Sequence, residues 1–206
     1  MRGYDKFKII CVTVIITLIA VLHIVNRADS YCPPELKAAS PGIPIIKELD
    51  NNTLFSGIKQ IVEGEKYLYV LYGKHGIIQV YDLFGNYQFS ISVYSHKNGR
   101  IKLAYQDGKL FVRDKQNNLY AFTDNALSDY FDKTISGKYI ELMDFQQSAP
   151  NYHLHMGSVY KITGASSQCI IQRPAWLALH ENGMGTIAMM GLMAILGVIL
   201  LYKKKF

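Results

Sequence analysis

The sequence predicts a mainly β extracytoplasmic domain, built from repeated antiparallel sheets and flanked by N- and C-terminal transmembrane α-helices. Three observations lead there. Two apolar stretches, Ile9–Val25 and Thr186–Tyr202, sit at opposite ends of a 206-residue chain. Each has its flanking lysines on the terminal side only. Between them, short β-type runs recur at a spacing of 42 residues.

Each apolar stretch has 17 residues and no formal charge. At about 1.5 Å per residue that makes roughly 25 Å of helix, near the ~30 Å of a hydrocarbon core. Phe7 and Met184 can lengthen the two helices. Neither stretch has the polar face of a buried soluble helix. Arg2, Lys6 and Lys8 precede the first, and Lys203, Lys204 and Lys205 follow the second. The positive-inside rule then puts both termini in the cytoplasm and residues 26–185 outside, anchored in membrane lipid. A cleaved signal peptide is the rival for the first stretch, although its apolar run is long for one and Asn26-Arg27-Ala28 is a poor cleavage site.

The resulting plan is a cytoplasmic N-terminus (1–8), a span (9–25), a Pro-rich stalk (26–57), a β domain (58–175), a juxtamembrane segment (176–185), a second span (186–202) and a basic tail (203–206). The net charge of +6 might suggest nucleic acid. Residues 26–185, however, hold 16 Lys/Arg against 15 Asp/Glu, so no basic stripe remains for a phosphate backbone, and nucleic acid is excluded as a partner. The basic excess belongs to the membrane flanks.

Of three cysteines, Cys11 lies within the first span. Cys32 and Cys169 flank the external region, where oxidation is permitted, and both ends of that region return to one membrane. A Cys32–Cys169 disulfide is expected, with two separate thiols as the alternative. Closing so long a loop contributes on the order of 4–5 kcal/mol in the chain-entropy model.

Pro33, Pro34, Pro41 and Pro44 give residues 30–57 the texture of an extended stalk. From about residue 58 the texture changes. Tyr67–Leu71, Ile77–Tyr81 and Tyr87–Val93 read as strands, with Asp82-Leu83-Phe84-Gly85-Asn86 as a hairpin turn. Leu110-Phe111-Val112 matches Leu68-Tyr69-Val70, Leu119–Phe122 matches Ile77–Val80, and Leu103 matches Ile61, all at the same offset. Four short strands in such a period are the signature of a propeller blade. The run Leu68-Tyr69-Val70-Leu71 with Ile78-Gln79-Val80-Tyr81-Asp82-Leu83-Phe84-Gly85-Asn86 resembles a blade of NHL-type or related β-propellers. The resemblance covers residues 58–135 in two copies, with a degraded third over Tyr152–Ile171. It implies four-stranded sheets used for binding. Closed propellers usually need at least four blades, so either the sheets form an open stack or a homo-oligomer completes the ring.

His153 and His155 fall on one face of an expected strand and are the only metal candidates, weak without a third ligand; no metal site and no cofactor are expected. No nucleophile elbow, calcium loop or zinc-protease motif occurs, so no catalytic residue is named. Twelve of the fifteen tyrosines lie between residues 67 and 160. Cross-strand packing explains most of them. Tyr72, Tyr94, Tyr105 and Tyr130 are the candidates for contact with a ligand.

Two functions compete. One is a membrane-anchored binding or scaffold protein, engaging a protein or envelope-polymer partner through the β domain. The other is an envelope-associated hydrolase or metal-dependent enzyme using His153 and His155.

Overall fold

A computed structural model describes residues 33–38, 40–48, 57–73, 76–94, 101–145, 149–155 and 157–173. The two apolar stretches, Cys11, Cys32 and the juxtamembrane segment lie outside them. Among the described residues no helix is long and apolar enough to cross a membrane.

Among the described residues twelve strands form three antiparallel sheets. The first contains β1 (Ile45–Lys47), β2 (Ile58–Glu63), β3 (Tyr67–Tyr72), β4 (Ile77–Asp82) and β5 (Tyr87–Ser92), in the order β1-β5-β4-β3-β2. The second is a meander of β6 (Lys102–Gln106), β7 (Lys109–Arg113), β8 (Leu119–Thr123) and β9 (Ala126–Phe131). The third is β10 (Tyr152–His155), β11 (Ser158–Thr163) and β12 (Ser166–Ile171). A short helix, α1 (Gly137–Ile140), stands between the second and third sheets in sequence.

Side chains alternate between the faces of a strand, and here the alternation assigns each face to a different layer. Tyr69, Leu71, Ile78 and Val80 of the first sheet pack on Leu103, Leu110, Val112, Tyr120 and Phe122 of the second. On the opposite face Ile61, Leu68, Val70 and Tyr72 meet Tyr152, Val159 and Ile171 of the third. The first sheet is therefore the middle layer, which is why Tyr67–Tyr72 and Ile77–Asp82 read almost continuously apolar rather than alternating. The second sheet turns its far face, with Ala104, Phe111, Leu119 and Phe131, toward Ile140, Met143 and Phe145 around α1.

The first hairpins of the first two sheets share a register at the 42-residue offset: Ile61 pairs with Val70 and Leu103 with Val112. The match then slips by one. Tyr72 pairs with Ile77 across a four-residue loop, whereas Arg113 pairs with Leu119 across a five-residue loop.

Residues expected to form a stalk behave otherwise. Ile45–Lys47 pairs with β5 as a fifth strand, and Leu36, in a 3-10 turn over Pro34–Leu36, is fully buried in the core. The apolar Leu36, Ile45 and Ile46 gain by burial what an extended segment would forgo.

Two ties set the layers in phase. The Gln60 side-chain amide donates to the Leu103 carbonyl at 2.8 Å and accepts the Leu103 N–H at 2.9 Å, as a neighbouring strand would. The Ala149 N–H donates to the Ile61 carbonyl at 3.0 Å. Since Gln60 and Leu103 both lie near the start of their strands, the β3–β4 and β7–β8 loops share one rim. Gly76 belongs to that rim, where a Cβ would stand 1.7 Å from Ile101 Cδ1. Lys66 and Asp124, 3.3 Å apart, mark the opposite rim.

Candidate functional site

Among the described residues, the stacked layers leave one sheet face uncovered. Both faces of the first two sheets and one face of the third enter the three apolar clusters. The outer face of the third sheet does not. Tyr152 and Val159 point inward, so alternation and pairing put His153, His155, Tyr160, Ile162 and Cys169 outward. His153 and Cys169 pair with Tyr160 from either side. The His153 ring stacks on Tyr160 at 5.4 Å, and the His155 ring meets it edge-on at 6.0 Å.

The two imidazoles thus share a face, as alternation requires, but each turns to the phenol between them. His153 Nδ1 is enclosed and lacks a hydrogen-bond partner among the described residues. No group of three His, Cys, Asp or Glu that could hold a metal occurs among them either. Cys169 is exposed beside Tyr160 and has no disulfide partner among the described residues; its expected partner Cys32 lies outside them. Chemically this face offers stacking surface, an imidazole nitrogen, a cysteine sulfur and the exposed side chain of Ile162.

The four tyrosines expected to meet a ligand do not gather. Tyr72 is 1% exposed, its ring covered by the Arg173 guanidinium at 4.9 Å. That corrects its assignment to the surface: from Leu68 to Tyr72 both faces of β3 are covered, so the Tyr72 ring does not reach solvent. Its hydroxyl lies 3.3 Å from that of Tyr81, which donates to Gln79 Oε1 at 2.7 Å. Burial first, then Tyr72, pushes the Tyr81 hydroxyl well above the ordinary tyrosine value. Tyr105 is half-buried and stacks on Tyr69 at 6.0 Å near one rim. Tyr130, also half-buried, tilts against Tyr120 at 5.1 Å near the other. Tyr94 is half-buried just past β5. Cross-strand packing takes up Tyr130, and packing between the first and second sheets takes up Tyr105.

Sequence reading missed a paired device. The loops Asp82–Asn86 and Asp114–Asn118 are built alike. In each, one aspartate oxygen accepts the backbone N–H groups two and four residues on, at 2.8–2.9 Å, and the other accepts the asparagine Nδ2 at 2.7 Å. The fourth residue takes positive φ, +93° at Gly85 and +65° at Asn117. Asparagine tolerates that region better than most residues. The signal was present as Asp, then Gly or Asn, then Asn. It sits in the β4–β5 loop of one sheet and the β7–β8 loop of the other, so the 42-residue offset concealed it. Gly85 has a second constraint, since a Cβ there would lie 2.1 Å from the Ile170 carbonyl oxygen of the third sheet.

Comparison with protein-family models, curated proteins and solved structures found no match.

Proposed function

We propose that the chain is a membrane-anchored, extracytoplasmic binding or scaffold protein that engages a protein or envelope polymer through the outer face of its third sheet. The observation that carries this reading is that face, which no described residue covers, at the end of a stack in which the other sheet faces are covered. We read the sheets as blades of an open, propeller-like array stacked in the order second, first, third. The hairpin register shared at 42 residues supports that view, and a further copy of the chain would supply the missing blades.

The test is a photoreactive residue in place of Ile162, carried by the full-length chain in intact cells. A defined adduct from that position, absent when the same residue replaces Lys109 on the second sheet, supports the reading. Adducts at neither position, or equally at both, overturn it.

An enzyme reading draws on His153 Nδ1, which has no hydrogen-bond partner among the described residues. Stoichiometric zinc or copper in the purified protein, lost on His153→Ala, would favour it over the scaffold. The topology and disulfide belong to the same proposal. An impermeant thiol reagent should reach a cysteine introduced at Asn98 and not one at Tyr4. Cys32→Ser and Cys169→Ser should shift non-reduced gel mobility alike, and free thiols at both positions by mass spectrometry refute the bridge.

A further inference from the structure

We infer that the rim of the second sheet beside α1 rests on the surface of a phospholipid bilayer through Ile135, Tyr139 and Leu142. This inference depends on the two-span topology proposed above.

Residues 132–143 form a run of helical turns, linked by the N–H groups of Ile135 and Ser136 to the Asp132 carbonyl and onward to Met143. The run is pinned to the β7–β8 loop. Its Ser136 hydroxyl donates to the Asn117 carbonyl, and the Lys133 N–H donates to Asn118 Oδ1 at 3.1 Å. Ser136, Ile140 and Met143 turn toward the sheet. One position earlier in each turn, Ile135, Tyr139 and Leu142 repeat the same i, i+4, i+7 spacing, yet are 56%, 39% and 76% exposed. The apolar arc is wider than the sheet covers, and large side chains grouped on one side of a helix mark a contact surface. Ile43, 66% exposed, belongs to the same rim.

The chain's own length chooses the occupant. Seven residues separate Val25, where the first apolar stretch ends, from Pro33. Fully extended, the eight steps reach at most about 28 Å. Pro33 leads within ten residues to Ile43, next to Gly42, whose N–H donates to the Tyr120 hydroxyl at 3.3 Å. This rim is thus tethered close to the bilayer, while Phe84, 83% exposed, belongs to the opposite rim. Tyr139, whose ring rests on Phe131 at 4.5 Å and is 39% exposed, suits with Lys133 and Lys138 the headgroup level, where amphipathic rings sit and lysine stems extend along apolar surface. Asp132, Glu141 and Asp144 offset the two lysines, so adhesion is apolar and neutral phosphatidylcholine suffices.

The test uses the full chain in phosphatidylcholine vesicles. Trp176 is the sole tryptophan, so Leu142→Trp and, as control, Phe84→Trp are each made on Trp176→Phe. Brominated acyl chains should quench emission from position 142 roughly twofold, the depth expected of an interfacial helix, and leave position 84 bright. Ile135→Trp gives a second reading should Leu142→Trp fold poorly. A chain that resists alkaline extraction but shows equal emission at both positions overturns the lipid contact and spares the topology. Extraction by alkali overturns both. Shielding of position 142 from aqueous iodide without quenching by brominated lipid means that protein, such as a second copy, covers the patch, and that too overturns the inference.

Discussion

The first and second sheets start from the same hairpin and end in different surroundings. At the 42-residue offset Leu68 and Leu110 are both fully buried, as are Val70 and Val112. Tyr69 and Phe111 part company. Tyr69 is 3% exposed between two sheets, whereas Phe111 is half-buried under the few helical turns around α1. Sequence similarity at this spacing sets which face a residue occupies. What covers that face is decided by the neighbouring layer, and the two copies do not share neighbours.

The largest effect that can break this comparison is alkaline unfolding. Burial raises the Tyr120 and Tyr152 hydroxyls from the ordinary 10.0 to about 12, the second helped by Glu63, and raises Tyr69 and Tyr81 further. In the unfolded chain these groups lose protons first, so their contribution to stability is complete below pH 10.0 and fades as pH rises toward about 12. Thermal melts should fall across that window. Tyr152→Phe should remove the share of the interface with the third sheet, and Tyr120→Phe that of the interface with the second. A melting temperature unchanged up to pH 12 would contradict the burial.

Core truncation comes next. Tyr69→Ala should cost about 4 kcal/mol and Phe111→Ala roughly half of that, because a half-covered ring leaves a smaller cavity. Leu68→Ala and Leu110→Ala should cost about 3 kcal/mol each and agree within error. Denaturant titration checks all four. Equal losses at Tyr69 and Phe111 would mean that the α1 segment covers the second sheet as fully as a sheet would.

The paired loops give a smaller contrast. Asp114 is 3% exposed, and its removal leaves the buried Asn118 amide without its acceptor. Asp114→Ala should cost about 2 kcal/mol, and Asp82→Ala distinctly less, since the hydrogen bonds of Asp82 are exposed to water. Least of all, Lys66→Ala should leave the melting transition in place. The Lys66–Asp124 pair joins side chains 68% and 55% exposed, where water screens the attraction.

The strands were legible because alternation and turn residues act locally. Gly85 with Asn86, and Asn117 with Asn118, close loops wherever they stand. The three-stranded meander over Tyr152–Ile171 could be located for the same reason. Layer order was not legible. Nothing in residues 152–171 states that they pack on the first sheet rather than on the second, which precedes them in sequence. The turns around α1 were hidden by Ser136 and Gly137, poor helix formers held in place by the β7–β8 loop. Of the candidate site, the shared face of His153 and His155 followed from alternation alone. Its bareness did not, since exposure of a face depends on which other face fails to meet it.

Gln60 has a consequence for how the molecule behaves among its own copies. An outermost strand displays a row of unsatisfied amides and carbonyls, and a stray chain can add to it. The amide of Gln60 occupies one such register on β6 with both of its hydrogen-bonding groups, acting as a stopper in the slot where another chain would begin to zip. Its removal costs the fold a pair of bonds, but the heavier penalty falls on colloidal behaviour. Gln60→Leu should leave the domain folded when dilute and send it into fibrous aggregates as concentration rises.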